Sequence, residues 1–589
     1  MRPAPPEARS SPRARRLLNE TPVSPRVGSF AVALAALVAA AAALLLVSLG
    51  AAPLERAEIY FVDAARTMVE SGDYLVPRYR GEPFFDKPPL TYWLMAASFR
   101  VLGFTLTAAR LVPLAAALAL LCATAWLGRL IFDDRATGVV AAGVLASTLL
   151  FLTFGRVAMS DMLLALWTTL AVAVALAADR GGADRPRPRW AGPALGMVLG
   201  LGFMTKGPVG FLLPGLGIAT WTWQRRRFPL PAAQWAPAIV AFAVTGLTWF
   251  ALVYERLGMA PLEYFFLREN LERFAGETYD AGRSPFYYVG AYLAVGLPWS
   301  LLFPRAALRL PRGERAILVW LALMAVPLSL ARGKIDYYLL PLAPAASLVV
   351  ARFLAGRAWS AIDRRWAQIV AATFGAGVLL VPWATARVPL EWVAPAPAQV
   401  ALVLVSAGAA LFALAAARQP TRLRVGVALG GGTAAVFFVL AAWFLPAFRR
   451  AQPSGPLTAD VVRERGFRPD AAVVLCSDPA RVQRDLLFAA RIVVEERCDL
   501  WALAASSHPF LLLLGPGEAQ SLALLPQVRE VATYRALPAT ALTFGGLVSG
   551  VTPQPLTLVA NFETEDPVAD TKRKKDRKRS LRDTEAAVE

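Results

Sequence analysis

Two carboxylates three residues apart, Glu55 and Glu58, follow the first long apolar run of the chain. On a helix, residues at this spacing share a face, so the two acids would project together. A carboxylate near a membrane surface is costly to bury unless it meets water or has a role. Such a group could act as a general base on an acceptor hydroxyl, or orient an amine or a phosphate. The alternative is an interfacial amphipathic helix whose acids are simply solvated.

A lysine fixed by two prolines is the second candidate for chemistry. Lys87 stands between Asp86 and the pair Pro88 and Pro89. The prolines restrict the backbone that follows the lysine and end any helix there. The pattern predicts a rigid cation that could hold a phosphate while a leaving group departs. The alternative is a lysine that snorkels to the membrane interface.

Other ionisable residues fall on the same predicted side of the membrane. Asp161 begins an apolar run, where it could cap a helix or serve as a site residue. Further acids, cations and tyrosines stand at the ends of other apolar runs, at Lys206, Glu269, Arg273, Lys334 and Tyr338. Snorkelling alone would scatter cations over both sides, so this convergence favours a functional site. Glu58 and Asp161 could share a divalent metal, although no compact carboxylate cluster demands one.

These residues must be positioned by membrane helices. The chain has 589 residues, of which 57% are hydrophobic and only 17% are charged. Its apolar runs are long enough to cross a bilayer, where only helices satisfy the backbone of such segments. The sequence predicts a polytopic α-helical membrane protein with about thirteen spans. They lie near 30–51, 106–128, 136–154, 160–178, 191–203, 206–224, 232–254, 287–304, 314–331, 336–354, 366–384, 398–417 and 424–446.

Short Arg-rich loops set the orientation, because positive charge favours the cytoplasmic side. The N-terminus is then cytoplasmic, and the chain after about residue 447 is extracytoplasmic. Short β-type runs in that last part predict a small α/β domain; they are Ala471–Leu475, Arg491–Glu495, Phe510–Leu514 and Leu556–Ala560. The predicted parts are a basic N-terminus at 1–29, a transmembrane domain at 30–449 with external loops 52–105 and 255–286, the α/β domain at 450–562 and a disordered basic tail at 563–589.

Composition excludes several other kinds of protein. The net charge of +19 comes mostly from arginines in short loops, and no nucleic-acid recognition motif is present, so we expect no nucleic-acid partner. The sole histidine, His508, lies in the C-terminal part. This excludes a Ser-His-Asp triad or a His-rich metal site in the membrane domain. Cys476 and Cys498 could form a disulfide if extracytoplasmic, or remain two buried free thiols.

Taken together, these segments resemble a known family. The residues that carry the resemblance are Ser71–Pro77, Phe85–Pro89, Asp161, Met204–Gly207, Glu269 and Asn270 with Arg273 and Phe274, and Lys334 with Tyr338. The chain resembles the lipid A 4-amino-4-deoxy-L-arabinose transferases and the wider bacterial branch of protein-mannosyltransferase-like GT-C glycosyltransferases, over about residues 55–345. The resemblance implies inverting transfer of a sugar from a polyprenyl-phosphate donor to a lipid A, glycan or protein acceptor. Transfer would occur on the periplasmic face of the bacterial inner membrane.

By matched position, the family implies that Lys87, Arg273 and Tyr338 hold the lipid-linked phosphate. Asp161 would shape the sugar or acceptor pocket, with Asp86 beside Lys87. The remaining matched residues would support the site; they are Lys206, Glu269 and Lys334.

The chain departs from this family in the first external loop. The family usually has an Asp-Glu pair there, and this chain has Ala57 and Glu58. The acid role then falls to Glu58 or Glu55, or the acid role differs in this chain.

A transporter or flippase of polyprenyl-linked sugars is the alternative function. It should carry ionisable residues at mid-membrane and paired repeats. Here the charges stand at the ends of spans and no repeat is visible, so the enzyme is favoured.

Overall fold

The computed structural model describes residues 27–51, 54, 57–179, 188–272, 274, 283–356, 358–387, 395–451, 454–475, 487–488, 490, 492, 503, 508–515, 528–536 and 553–562. Four residues singled out in the sequence lie outside the described residues: Glu55, Arg273, Cys476 and Cys498. The predicted basic tail and almost all of the predicted basic N-terminus also lie outside them.

Most of the chain is helical. In chain order, the helices of the first half are α1 (Val27–Leu46), α2 (Glu58–Ser71), α3 (Leu90–Leu102), α4 (Leu106–Phe132), α5 (Arg135–Ala146), α6 (Leu149–Phe154), α7 (Asp161–Ala178), α8 (Ala191–Lys206), α9 (Pro208–Arg225), α10 (Ala232–Phe242), α11 (Thr248–Leu257) and α12 (Ala260–Glu263). Those of the second half are α13 (Tyr287–Val295), α14 (Phe303–Arg309), α15 (Ala316–Leu330), α16 (Ala343–Ala355), α17 (Ala361–Ala386), α18 (Ala396–Arg418), α19 (Arg422–Val439), α20 (Leu445–Ala451) and α21 (Ser454–Phe467).

Shorter helical turns join some of these helices. The π-helical ones are Ala243–Leu247, Tyr264–Glu272 and Leu440–Phe444. The 3-10 ones are Trp299–Leu301, Arg312–Glu314 and Asp336–Leu342.

Every predicted span coincides with helical structure, and the chain is a multi-pass membrane protein. Within the described residues, 9 helical segments are long and apolar enough to cross a membrane, and α3 and α5 are shorter apolar helices. Two predicted spans are interrupted. The span near 136–154 breaks at Ser147, where the Thr148 hydroxyl accepts the backbone N–H of Phe151 and so begins α6 as a new helix. The span near 287–304 breaks between α13 and α14.

Two segments form the centre of the membrane domain. In α7 and in the stretch Asp336–Ala355, 83% of the residues in the apolar 18-residue stretch are buried inside the protein. The corresponding share is 22% in α17 and 28% in α18. A helix that is apolar all round and mostly buried belongs to the core, while one exposed along most of its length faces lipid. The central segments therefore carry Asp161 and Tyr338, while the outer helices surround them.

The segment between α1 and α4 is itself folded. Helices α2 and α3 pack together through Phe61, Met68, Tyr92 and Met95. Between them, β1 (Arg78–Tyr79) and β2 (Glu82–Pro83) form a short antiparallel hairpin. This arrangement fixes the loop that follows the hairpin, which carries the proline-flanked lysine.

The C-terminal part is a small α/β unit, as predicted. Its strands β3 (Ala472–Leu475), β4 (Phe510–Leu514), β5 (Arg529–Ala536) and β6 (Gln554–Ala560) form one sheet in the order β3-β4-β6-β5. Only β3 and β4 are parallel, and the other pairs are antiparallel. Leu457 and Val461 of α21 pack on the sheet beside Leu511 and Leu513. Three of the predicted β-runs match strands, the run at 491–495 lies mostly outside the described residues, and β5 was not predicted.

Candidate functional site

A cavity of about 150 Å³ lies against the start of α7. It collects six of the ten residues that the sequence suggested for a site: Asp86, Lys87, Asp161, Lys206, Glu269 and Tyr338. The rest of its wall is mainly apolar and includes Leu164, Val209, Leu212, Leu213, Phe265 and Leu328. Charged groups and apolar surface thus meet in one space, although they come from five separated segments.

Lys87 stands in the loop between β2 and α3, where prolines hold its backbone. Pro89 is the residue before the first turn of α3, so the helix begins immediately after the loop. The Lys87 ammonium donates to its neighbour's carbonyl, Asp86 O, at 2.7 Å and pairs with Glu269 Oε2 at 3.1 Å. The side chain is 20% exposed and that of Glu269 is 3% exposed. Lys87 therefore lines the cavity from a loop that prolines follow.

A second ion pair, between Asp161 and Lys206, also lines the cavity. Asp161 is the first residue of α7, and Lys206 is the last residue of α8. The Lys206 ammonium lies 2.5 Å from Asp161 Oδ1 and 4.6 Å from the centre of the Tyr338 ring. An acid at a helix start and a cation at a helix end are each favoured by the helix dipole, and the ring adds a cation–π attraction. These contacts hold Lys206 in place.

The π-helix Tyr264–Glu272 connects both sides of the cavity. The Tyr264 hydroxyl donates to Asp86 Oδ1 at 2.9 Å, and Glu269 reaches Lys87. The buried ring of Phe265 lies against Gly207, directly after Lys206. The sequence did not indicate Tyr264 as a site residue. A π-helical turn changes which residues lie on one face of a helix, and the spacing of apolar residues does not reveal that change. The only available signal was the cluster of aromatic residues before Glu269.

Gly207 has a backbone conformation that few other residue types adopt. Its φ is +60°, and an added Cβ would lie 2.4 Å from the Phe265 ring. We expect Gly207→Ala to lower the free energy of unfolding by about 1–3 kcal/mol, through strain and displacement of Phe265. Thermal melting of the detergent-purified protein measures this. Gly215→Ala in α9, where a Cβ meets open space, is the control, and equal melting temperatures for the two variants would contradict the prediction.

The Ser-Gly-Asp element of the first loop has a structural position. Gly72 ends α2 in the left-handed conformation, with φ of 72°. Asp73 Oδ1 accepts the backbone N–H groups of Leu75 and Val76 and pairs with Arg256 at 3.1 Å. Burial alone would raise the pKa of the Asp73 carboxyl, but the two amides and the Arg256 guanidinium together bring that pKa below its usual value. The element therefore shapes the turn that leads to the Lys87 loop.

The structure places Glu58 outside the cavity. This residue begins α2, is 0% exposed and does not line the cavity. Its two carboxylate oxygens accept from Arg110 Nε at 2.8 Å and Arg110 Nη2 at 2.7 Å, and Oε1 also accepts the Ala158 N–H at 2.6 Å. A general base must reach the proton that it removes. The geometry instead gives Glu58 a structural position, in which it joins α2 to α4 and to the segment before Asp161.

Three arginines gather around the end of α1 in the same region. Arg110 donates to the carbonyl of Leu49 at 2.8 Å, and Arg156 donates to that of Val47 at 2.6 Å. Arg449 donates to the carbonyl of Gly50. These three carbonyls belong to the turn that follows α1, where the chain has left the helical hydrogen-bond pattern and side chains or water must satisfy the backbone. We call Arg110, Arg156 and Arg449 the arginine collar.

Lys334 lies beside the cavity without lining it. Its ammonium is buried and donates to the carbonyls of Ala331 and Arg283, and its neighbour Gly333 forms part of the wall. Lys334 thus closes the turn after α15, so its contacts are those of a structural residue. Glu55 and Arg273 lie outside the described residues.

The two carboxylates that could share a metal each have a cationic partner in this structure. Glu58 is paired with Arg110, and Asp161 is paired with Lys206. In the part of the chain that the structure describes, no group of three or more His, Cys, Asp or Glu side chains could hold a metal ion.

Known proteins similar to this chain form a consistent group. Residues 86–249 match the family model described as dolichyl-phosphate-mannose-protein mannosyltransferase. The undecaprenyl phosphate-alpha-4-amino-4-deoxy-L-arabinose arabinosyl transferase 2 of Sodalis glossinidius is 30% identical over 349 residues, which cover 56% of this chain and 62% of that protein. Transferase 1 of the same organism is 31% identical over 385 residues, 62% of this chain and 67% of that protein. The chain thus spans less than two thirds of the length of the first of these relatives.

A solved structure has the same fold. The crystal structure of ArnT from Cupriavidus metallidurans bound to undecaprenyl phosphate matches with a TM-score of 0.67 and 21% identity, over 90% of this chain and 98% of that chain. The same protein in the apo state matches with a TM-score of 0.65. This likeness confirms the predicted GT-C fold class, with its small C-terminal domain.

Proposed function

Because the chain belongs to the family of undecaprenyl phosphate-alpha-4-amino-4-deoxy-L-arabinose arabinosyl transferases, we propose that it is a membrane glycosyltransferase that uses an undecaprenyl-phosphate-linked sugar. The sugar is an aminoarabinose-type pentose, and the acceptor is a lipid A-type glycolipid. Transfer is inverting. The acceptor hydroxyl attacks the anomeric carbon from one face and gives its proton to the Asp86 carboxylate, which lines the cavity, while the bond to the phosphate oxygen breaks on the other face. The electron pair of that bond leaves with undecaprenyl phosphate.

The observation that carries this proposal is the composition of the cavity wall. Undecaprenyl phosphate combines an anionic head with a long apolar chain. The cavity combines Lys87 with an apolar wall that includes Leu212, Leu213 and Leu328. A cation held at a fixed place stabilises the negative charge that develops on a departing phosphate, and costs little reorganisation during the reaction.

Several cavity residues have a proposed part in the reaction. Lys87 and Tyr338 hold the donor phosphate, and we assign Arg273, which lies outside the described residues, to the same phosphate from the family resemblance. Asp161, fixed by Lys206 at 2.5 Å, shapes the pocket for the sugar. With Glu58 buried against Arg110, the acid that orients the acceptor is assigned to Asp86, since Asp86 lines the cavity directly beside Lys87.

The orientation in the membrane is also a proposal. We place the protein in the bacterial inner membrane, with its N-terminus in the cytoplasm and its cavity and α/β domain in the periplasm. Helix α7 has 18 residues and is therefore about 27 Å long, close to the thickness of a bilayer core. Asp161 stands at the cavity end, and Asp179, just after the other end, pairs with Arg225 and Arg227. Positive charge at that second end supports the cytoplasmic assignment.

The test uses the purified full-length protein in lipid nanodiscs, with undecaprenyl-phosphate-linked aminoarabinose as donor and lipid A as acceptor. We expect free undecaprenyl phosphate and sugar-modified lipid A to form in equal amounts, measured by mass spectrometry. The same protein in sealed liposomes distinguishes the transporter. Movement of intact donor across the liposome membrane, without release of undecaprenyl phosphate in either system, would overturn the proposal.

A further inference from the structure

The two lysines that line the cavity are both occupied by carboxylates, but to different degrees. Lys206 lies 2.5 Å from Asp161, is 12% exposed and also contacts the Tyr338 ring. Lys87 lies 3.1 Å from Glu269 and is 20% exposed. The longer and more exposed pair is the weaker one, because water screens it more and its geometry is less favourable. Lys87 and Glu269 are therefore the pair that an incoming anion separates more easily.

A phosphate at Lys87 would compete with Glu269. Both groups are anions that require the same ammonium, and both Lys87 and Glu269 line the cavity. Two anions held close together repel each other, and the repulsion is strong where water is scarce. The side chain of Glu269 is only 3% exposed. A phosphate that shares the ammonium with Glu269 is therefore repelled by that carboxylate, and its contact with Lys87 is strongest when Glu269 moves away.

The π-helix Tyr264–Glu272 can stay in place when the Glu269 carboxylate moves away from Lys87. It is attached to the Lys87 loop through Tyr264 and Asp86, whose oxygen atoms are 2.9 Å apart. It is attached to the Lys206 turn through Phe265, which is 2% exposed and packs on Gly207. These two attachments do not involve Glu269. Lys87 also keeps its hydrogen bond to the Asp86 carbonyl at 2.7 Å, so the ammonium stays in the cavity when the carboxylate turns away.

From this geometry we infer that Glu269 is a displaceable counter-ion, which occupies Lys87 in the empty protein and is exchanged for the phosphate of the lipid-linked donor. The inference rests on the proposed function, because it assigns the donor phosphate to Lys87. Glu269 acts on the donor through Lys87 and is a positioning residue. Its charge lowers the affinity for the phosphate, so donor and product both leave more readily than they would from an unopposed lysine.

The test is the affinity of Glu269→Gln for undecaprenyl phosphate, measured by isothermal titration with full-length protein in detergent. A structural role and a counter-ion role for Glu269 predict opposite changes in the affinity for undecaprenyl phosphate. If Glu269 only held Lys87 in place, the variant would bind more weakly. If Glu269 is a counter-ion, its loss frees the Lys87 ammonium, and we expect the variant to bind undecaprenyl phosphate about tenfold more tightly. Glu269→Asp, which keeps the charge on a shorter side chain, should fall between the variant and the unchanged protein.

Two comparisons make the result specific. Glu263→Gln changes an exposed acid in α12, just before the π-helix, and should leave the affinity unchanged. In a Lys87→Ala background, Glu269→Gln should have no tightening effect, since the cation that it frees is absent. Weaker or unchanged binding by Glu269→Gln, in a protein whose unmodified form binds and whose Lys87→Ala form binds less, overturns the counter-ion alone. Failure of the unmodified protein to bind undecaprenyl phosphate overturns the proposed donor site and this inference together.

Discussion

Replacing Lys87 by alanine should reduce sugar transfer by about 100-fold or more, the scale seen when one preorganised charge-stabilising group is lost. The Lys87 ammonium faces the cavity from a loop fixed by Pro88 and Pro89, and it is the group that we assign to the departing phosphate. The variant also leaves the buried Glu269 without this cation, which adds an unfavourable negative charge near the phosphate. Release of undecaprenyl phosphate by purified protein measures the effect.

Two further variants show whether charge or shape at position 87 matters. Lys87→Arg keeps the charge with a different geometry, so it should retain more activity than alanine and less than lysine. Arg100→Ala removes an exposed cation from α3, the helix that follows Lys87, and should leave transfer nearly unchanged. Unchanged transfer by Lys87→Ala, in membranes that contain the lipid-linked donor, would remove Lys87 from the proposed mechanism.

Replacing Arg110 by alanine should have the largest effect on stability. Arg110 is 1% exposed and binds the fully buried Glu58 through two nitrogens, and it also holds the carbonyl of Leu49. Removing one partner of a buried pair leaves an uncompensated charge, which costs about 3–5 kcal/mol. We expect a large fall in the melting temperature of the detergent-purified protein, with loss of transfer that follows the loss of folded protein.

The double variant Glu58→Gln with Arg110→Gln tests the structural position of Glu58. It removes both charges together, so it should recover part of the stability that Arg110→Ala loses. If Glu58 only positions α2 and the segment before Asp161, the folded double variant should also recover transfer. A double variant that melts like the unmodified protein but transfers no sugar would show that Glu58 takes part in the chemistry after all.

Most of the membrane-spanning helices could be predicted from the apolar runs of the sequence. Each predicted span falls on helical structure, because a bilayer restricts the backbone to helices and so makes long apolar runs unambiguous. The break at Ser147 was not foreseen, since a Thr-capped restart inside an apolar run changes hydropathy very little. Strand β5, Arg529–Ala536, was missed because its charged and polar residues obscure the usual alternation.

The sequence indicated only some of the residues that form the candidate site and its surroundings. Lys87 and Asp161 stood out because charges next to apolar runs are rare and costly. Glu58 stood out for the same reason, but its partner Arg110 is 52 positions away in the chain. Pairing across such a distance depends on how helices pack, which one sequence does not reveal. The same limit hid Tyr264, whose contact with Asp86 spans 178 positions.

The arginine collar bears on how the protein is assembled in the membrane. Only 11% of the apolar window of α1 is buried, so this first span has little side-chain contact to hold it against its neighbours. The carbonyls of the turn that follows it instead bind arginines that are synthesised progressively later, at positions 110, 156 and 449. All three contacts can therefore exist together only after the chain has been made as far as Arg449, and the collar joins the end of α1 to three separate parts of the membrane domain.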